Sequence, residues 1–212
     1  MSTPLQEVKN LISKGEFFKA YDIAMHALGS IPDNTALQHR ALLALANGGA
    51  YRLALSQFES MGLHNSHELD VQCLLARLHK DISFAQKGEA AKAGFVKAFQ
   101  LYEQAWISHQ LSPQAYYPAI NAAACAVFSG ALEQATHWAG IVLDQLQSQH
   151  TKPADPAEQY WTHATRIEAL LIQGQLDAAR ALVPHTLSLI DSDRTALAST
   201  LRQLQRLCHC LG

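Results

Sequence analysis

The chain has 212 residues and a formal net charge of −2. That is enough chain to bury a sizeable core and too little positive charge for a domain built to hold nucleic-acid backbone. Alanine supplies 34 residues, leucine 30 and glutamine 18, against 25 for valine, isoleucine and threonine together; strong helix formers dominate over β-branched residues, so an all-α fold is expected and a sheet-based one is disfavoured.

The N-terminal string MSTPLQEVKNLISKGE has no basic stretch followed by an apolar one, so it does not read as a secretory signal. No run of about 18 apolar residues follows, so no membrane partner is expected. The scattered cysteines Cys73, Cys125, Cys208 and Cys210 read as reduced thiols, which points to the cytoplasm.

The first repeat lies in LISKGEFFKAYDIAMHALGSIPDN. Gly15, Phe17, Ala20, Ala27 and Pro32 fall where a 34-residue tetratricopeptide unit places its turn glycine, aromatic, small residues and terminal proline. The pattern returns one period on, with Gly49, Tyr51, Ala54 and Phe58 in ALANGGAYRLALSQFESMG. Two predicted hairpins therefore span about 3–31 and 35–62. VQCLLARLHKDI reads as the first helix of a third hairpin, ISFAQKGEAAKAG as an extended connection and FVKAFQLYEQAWISH as the second helix, over about 69–110. AYYPAINAAACAVFSG and ALEQATHWAGIVLDQLQSQ form a fourth, about 114–149. HTKPADPA is a linker. EQYWTHATRIEALLIQG and QLDAARALVPHTLSLI form a fifth, about 157–190, with Pro184 expected to kink or shorten its last helix.

Asp191, Ser192 or Asp193 can cap a final helix at about 194–210. Its stripe of Leu197, Leu201, Leu204 and Leu207 is expected to cover the preceding hairpin. The expected architecture is one α-solenoid over 1–212, with five helical hairpins and a C-terminal capping helix.

The middle of the chain carries a more specific pattern: CLLARLHKD, an insertion, KAFQLYEQAW, then YYPAINAAACAVFSG. Through Arg77, Lys80, Asp81, Ala98, Tyr102, Ile120, Asn121 and Gly130, residues 69–148 resemble the TRAF-binding, TPR-like region of the apoptosis signal-regulating kinases and related bacterial modules. Ala76 and Ala119 stand where that pattern favours glycine. The resemblance implies a helical scaffold that recruits or regulates other proteins, either as a stand-alone module or with a separately encoded effector or sensor domain. Kinase activity does not follow, because no glycine-rich loop, HRD or DFG signature is present.

Catalytic and metal chemistry is not expected. His64 and His67 lie between hairpins, with no HExxH or CxxC beside them. Cys208, His209 and Cys210 point in different directions on a helix of about 3.6 residues per turn and cannot converge on one ion. Cys125 sits in the apolar run AAACAVF and reads as a buried structural thiol. Gly48-Gly49 is not followed by GKS or GKT, so no phosphate loop is formed. Lys9, Arg40 and Asn121 have the chemistry of a dicarboxylate clamp but not its full spacing, with Leu5 and Leu74 in two of its places. No catalytic residue, metal or cofactor is therefore assigned.

The expected function is non-catalytic binding of a protein or peptide in a concave helical groove. Arg77, Lys80, Tyr117 and Asn121 form the candidate partner-binding patch, suited to an acidic or backbone-rich segment. The bland role for two of them is structural: Arg77 pairing with Asp81, and Asn121 tying the inserted loop. The alternative function is a regulatory subunit or enzyme holding a small molecule in the same groove.

Overall fold

The structure is a computed structural model and describes residues 3–148, 155–190 and 193–212. Among them it holds eleven α-helices, one 3-10 turn at Leu63–Asn65, and no strand. The helices are α1 (Pro4–Ser13), α2 (Phe17–Leu28), α3 (Thr35–Asn47), α4 (Tyr51–Ser60), α5 (Leu69–Ser83), α6 (Gly88–His109), α7 (Tyr116–Ser129), α8 (Leu132–Ser148), α9 (Pro156–Ile172), α10 (Leu176–Ser188) and α11 (Arg194–Leu211). They stack as a tetratricopeptide-type α-solenoid. No described helix is long and apolar enough to cross a membrane.

Local chemistry sets the helix ends. Thr3, Asn34, Asp155 and Asp193 each accept a hydrogen bond from a backbone N–H in the first turn of α1, α3, α9 and α11, satisfying donors that the helix itself leaves free. Asp193 thus supplies the final cap; Asp191 and Ser192 lie outside the described residues, as do residues 150–154 of the expected linker. Gly15 and Gly49 take φ of +81° and +84°, a left-handed turn that closes the first helix of each hairpin and favours a residue without Cβ. Just beyond each turn a small residue sits where the two helices cross: Ala20 and Ala54 are fully buried. Pro184 lies inside α10, which runs on to Ser188.

The expected extended connection in the third unit is not there. α6 starts at Gly88, seven residues before Phe95, and runs for 22 residues. Its opening segment, Glu89-Ala90-Ala91-Lys92-Ala93, is intrinsically strong helix. Gly94 is a packing requirement: a Cβ there would lie 2.0 Å from Ser83 Oγ. The close approach of α5 and α6 brings Phe84 and Phe95 edge to face at 4.8 Å, with Phe128 of α7 at 4.9 Å from Phe84. The largest apolar core lies over α5–α9, includes Tyr102, Cys125 and Trp138, and takes in Leu207 of α11.

The odd-numbered helices line the inner face, and the last one closes it. α11 lies against α9 and α7, and its first turn meets α1, where Thr195 Oγ1 donates to the Ile12 carbonyl at 3.0 Å. This placement divides the apolar stripe. Leu207 is buried in the main core and Leu204 packs beside Ile167, Leu170 and Ala179, while Leu197 and Leu201 are 41% and 54% exposed. The two ends of the chain therefore meet across the inside of the solenoid.

Candidate functional site

Closure of the inner face leaves a cavity of about 1010 Å3. Residues from all six inner helices reach it, together with Tyr102 from α6. The four residues of the candidate patch, Arg77, Lys80, Tyr117 and Asn121, all line this one cavity. Periodicity accounts for the convergence: Arg77 and Lys80 are three apart on α5, Tyr117 and Asn121 four apart on α7, so each pair shares a helix face.

These residues are also tied to the framework. Arg77 Nε donates to Asp81 Oδ2 at 3.3 Å and its Nη2 to Asn47 Oδ1 at 2.7 Å. Burial alone would weaken the Arg77 charge, but the Asp81 carboxylate together with the Tyr117 and Tyr102 hydroxyls outweighs it and the guanidinium is held ionised. Asp81 is buried and also faces Arg206 of α11, Nη1 to Oδ1 at 3.6 Å. The Arg206 guanidinium sits 3.5 Å above the Phe84 ring, a cation–π contact that fixes α11 from a second side. One carboxylate thus joins α5 to the closing helix.

Lys80 is bound differently. It is 6% exposed. Its Nζ donates to Asn121 Oδ1 at 2.7 Å and lies 5.8 Å from the Tyr102 ring centre. Among the described residues no carboxylate oxygen is within 4.0 Å of it. Asn121 is held in turn, its Nδ2 donating to the Tyr117 carbonyl at 3.0 Å. A buried ammonium resting on a neutral amide is an unusual arrangement, because buried charges are ordinarily neutralised by a counter-charge. The Tyr102 hydroxyl beside it is fully buried and has no hydrogen-bond partner among the described residues.

The far wall carries the opposite sign. Glu158 and Glu168 reach the cavity from α9. Burial pushes the Glu168 carboxyl up to about 7, with Lys80 and the hydrogen bond from Gln203 opposing the rise; the Gln203 Nε2 to Glu168 Oε2 distance is 3.2 Å. On the α1, α3 and α5 side stand Lys9, Arg40, Arg77 and Lys80, with the Asp70 carboxylate among them. His39, pushed down to about 4 by burial and by Arg40, is neutral there. Tyr117 and Trp161, 39% and 41% exposed, add aromatic surface.

Glu168, Gln203 and Arg206 are absent from the patch read in the sequence. The available signal was phase: Glu168 lies four residues after the buried Ala164 and so falls on its face of α9. A carboxylate at such a position is a departure from the apolar pattern.

The remaining chemistry is quiet. Cys125 is fully buried and its thiol is pushed up to about 12 by burial; Cys73 is raised further for the same reason. Both are poor nucleophiles near neutral pH. His64 and His67 are exposed. Cys208, His209 and Cys210 lie on the unbroken α11, and no cluster of metal-ligating side chains occurs among the described residues.

Repeated hairpins around a lined inner face define a tetratricopeptide-repeat protein. The sequence profile of the Tetratricopeptide Repeats-Sensor family matches residues 19–126, just over half of the chain, and the chain belongs to that family. The crystal structure of TTC0263, a thermophilic TPR protein in Thermus thermophilus, is similar to it with a TM-score of 0.68, covering 95% of this chain and 97% of that one at 16% identity. A likeness at that identity shows the shared fold. No curated protein matches the chain.

Proposed function

We propose that the chain is a non-catalytic sensing module of the cytoplasm: its inner cavity receives a small ligand, and its outer surface passes the occupied state to a protein partner. The observation that carries this reading is the closure of the inner face by α11. An open solenoid offers a trough along which an extended peptide can run. Here α11 reaches α1 and narrows the inner face to a half-open cleft, whose volume of about 1010 Å3 is at the upper end of the ~300–1,000 Å3 typical of small-molecule sites. The sensor description of the family agrees with this use of the cavity.

The partner-binding role of Arg77, Lys80, Tyr117 and Asn121 is recast accordingly, as contacts to that ligand. The resemblance of residues 69–148 to the TRAF-binding region of the apoptosis signal-regulating kinases is the ground for taking the recipient to be a protein, a separately encoded effector among the candidates.

The test is a thermal-shift screen of the native chain against small metabolites, run in parallel on Ser199→Trp, which places a bulky indole at the cavity wall from α11. A ligand binding only the native state raises the melting midpoint by an increment set by its concentration over its affinity. Shifts in the native chain that vanish in Ser199→Trp are expected. A native chain that answers no small ligand but binds peptides equally well in both forms would overturn the reading.

A further inference from the structure

The cavity's two walls differ in sign, and among the described residues its buried lysine has no carboxylate oxygen within 4.0 Å. Lys80 and Glu168 both face the same space. Lys80 acts electrostatically on Glu168, yet the two are more than 4.0 Å apart. Each makes one hydrogen bond to a neutral amide, Lys80 to Asn121 and Glu168 from Gln203, which leaves donor and acceptor capacity on both charged groups. A lone anion placed at Lys80 would meet the carboxylates of α9. A lone cation placed at Glu168 would meet Lys80 and Arg77. A ligand that carries both charges close together satisfies both walls at once.

We infer that the cavity binds a small zwitterion with a free ammonium and a free carboxylate, its carboxylate on Lys80 Nζ and its ammonium on Glu168. A free amino acid or a short peptide with both ends uncapped has this chemistry. Trp161 and Tyr117, each partly exposed in the cavity, offer aromatic faces for its apolar body. The inference rests on the cavity being the ligand site and names the class of ligand.

Isothermal titration calorimetry decides it, with two groups of probe: the twenty free amino acids, and di- and tripeptides with uncapped ends. Each responding probe is repeated as its N-acetyl and its C-amide form. Binding is expected to weaken at least tenfold when either end is capped. Which group responds identifies the source of the zwitterion. The preference for carboxylate over amide should collapse in Lys80→Met, and the preference for amine over acetamide in Glu168→Gln. The capping comparison on the native chain stands even if Lys80→Met fails to fold. Equal binding of capped and uncapped probes, or no binding by any at millimolar concentration, overturns the zwitterion. If ligands without an ammonium group still shift the native chain and not Ser199→Trp, the cavity reading survives and only the zwitterion falls; if no small ligand does, both fall.

Discussion

Asn121 holds Lys80 with one end of its amide and the Tyr117 carbonyl with the other. Replacing it with alanine removes the acceptor of a buried ammonium, so Asn121→Ala is expected to cost about 1–3 kcal/mol in urea denaturation; a change below ~0.5 kcal/mol, the range of ordinary surface substitutions, would mean that the amide is not structural. Glu168 sets a pH dependence. Its ordinary value of 4.5 rises to about 7 through burial, so between those values the folded chain keeps a proton that the unfolded chain has released. Stability from this group therefore falls as pH rises through that window and levels off above it. His39, lowered to about 4, works in the opposite sense over pH 4–6.5, so the readout is the difference between native chain and Glu168→Gln. The variant is expected to gain melting midpoint relative to the native chain from pH 5 to pH 8; a difference that stays flat across that range would contradict the raised carboxyl. The sequence alone led to Arg77, Lys80, Tyr117 and Asn121 because each lies one helical turn from another polar residue. Glu168 and Gln203 acquire meaning only when α11 is laid beside α9, because the two are 35 residues apart in sequence.

At the scale of the helix pair, the hairpins depend on small residues at their crossings. Ala54 is fully buried between apolar neighbours that include Phe58 and Leu45. Overpacking a filled contact typically costs ~1–3 kcal/mol, so Ala54→Leu should lower the denaturation midpoint accordingly, and an unchanged midpoint would count against this packing register. Gly94 makes a sharper case. Gly94→Ala would drive its Cβ to within 2.0 Å of Ser83 Oγ; the variant should melt earlier than the native chain, and adding Ser83→Gly should restore part of the loss. No restoration in the double variant would show that the contact does not hold α5 and α6 at their spacing. The hairpins were legible because a turn glycine and a small residue recur at a fixed period, a local rule that needs no partner. The start of α6 was not, because the close approach of α5 that requires Gly94 appears only once the two helices are packed.

For the whole molecule, the consequential contact is between the ends. No periodicity announces that Thr195 meets Ile12, since the two are 183 residues apart and each lies on a helix whose local pattern is complete. The sequence showed an amphipathic final helix, and the structure shows what that helix does. α11 buries Leu207 against the main core, places Arg206 between Asp81 and the Phe84 ring, and joins Tyr160 to Thr200 through a 2.8 Å hydrogen bond. Removing residues 194–212 would expose the apolar surface of α7 and α9 that Leu207 and Leu204 cover, leave Asp81 with Arg77 alone, and open the cavity along one side. The shortened chain is expected to associate, because a contiguous exposed apolar face on a solenoid is a self-association surface, and to show a larger radius of gyration by small-angle scattering in its monomeric fraction. The point variant Arg206→Met separates closure from simple loss of chain: it keeps the apolar length of the side chain but removes its charge, so it should loosen α11, seen as faster amide exchange in α11 and the first turn of α1, without aggregation. A shortened chain that stays monomeric with an unchanged radius, or an Arg206→Met variant whose exchange matches the native chain, would show that the ring is not held shut from this side.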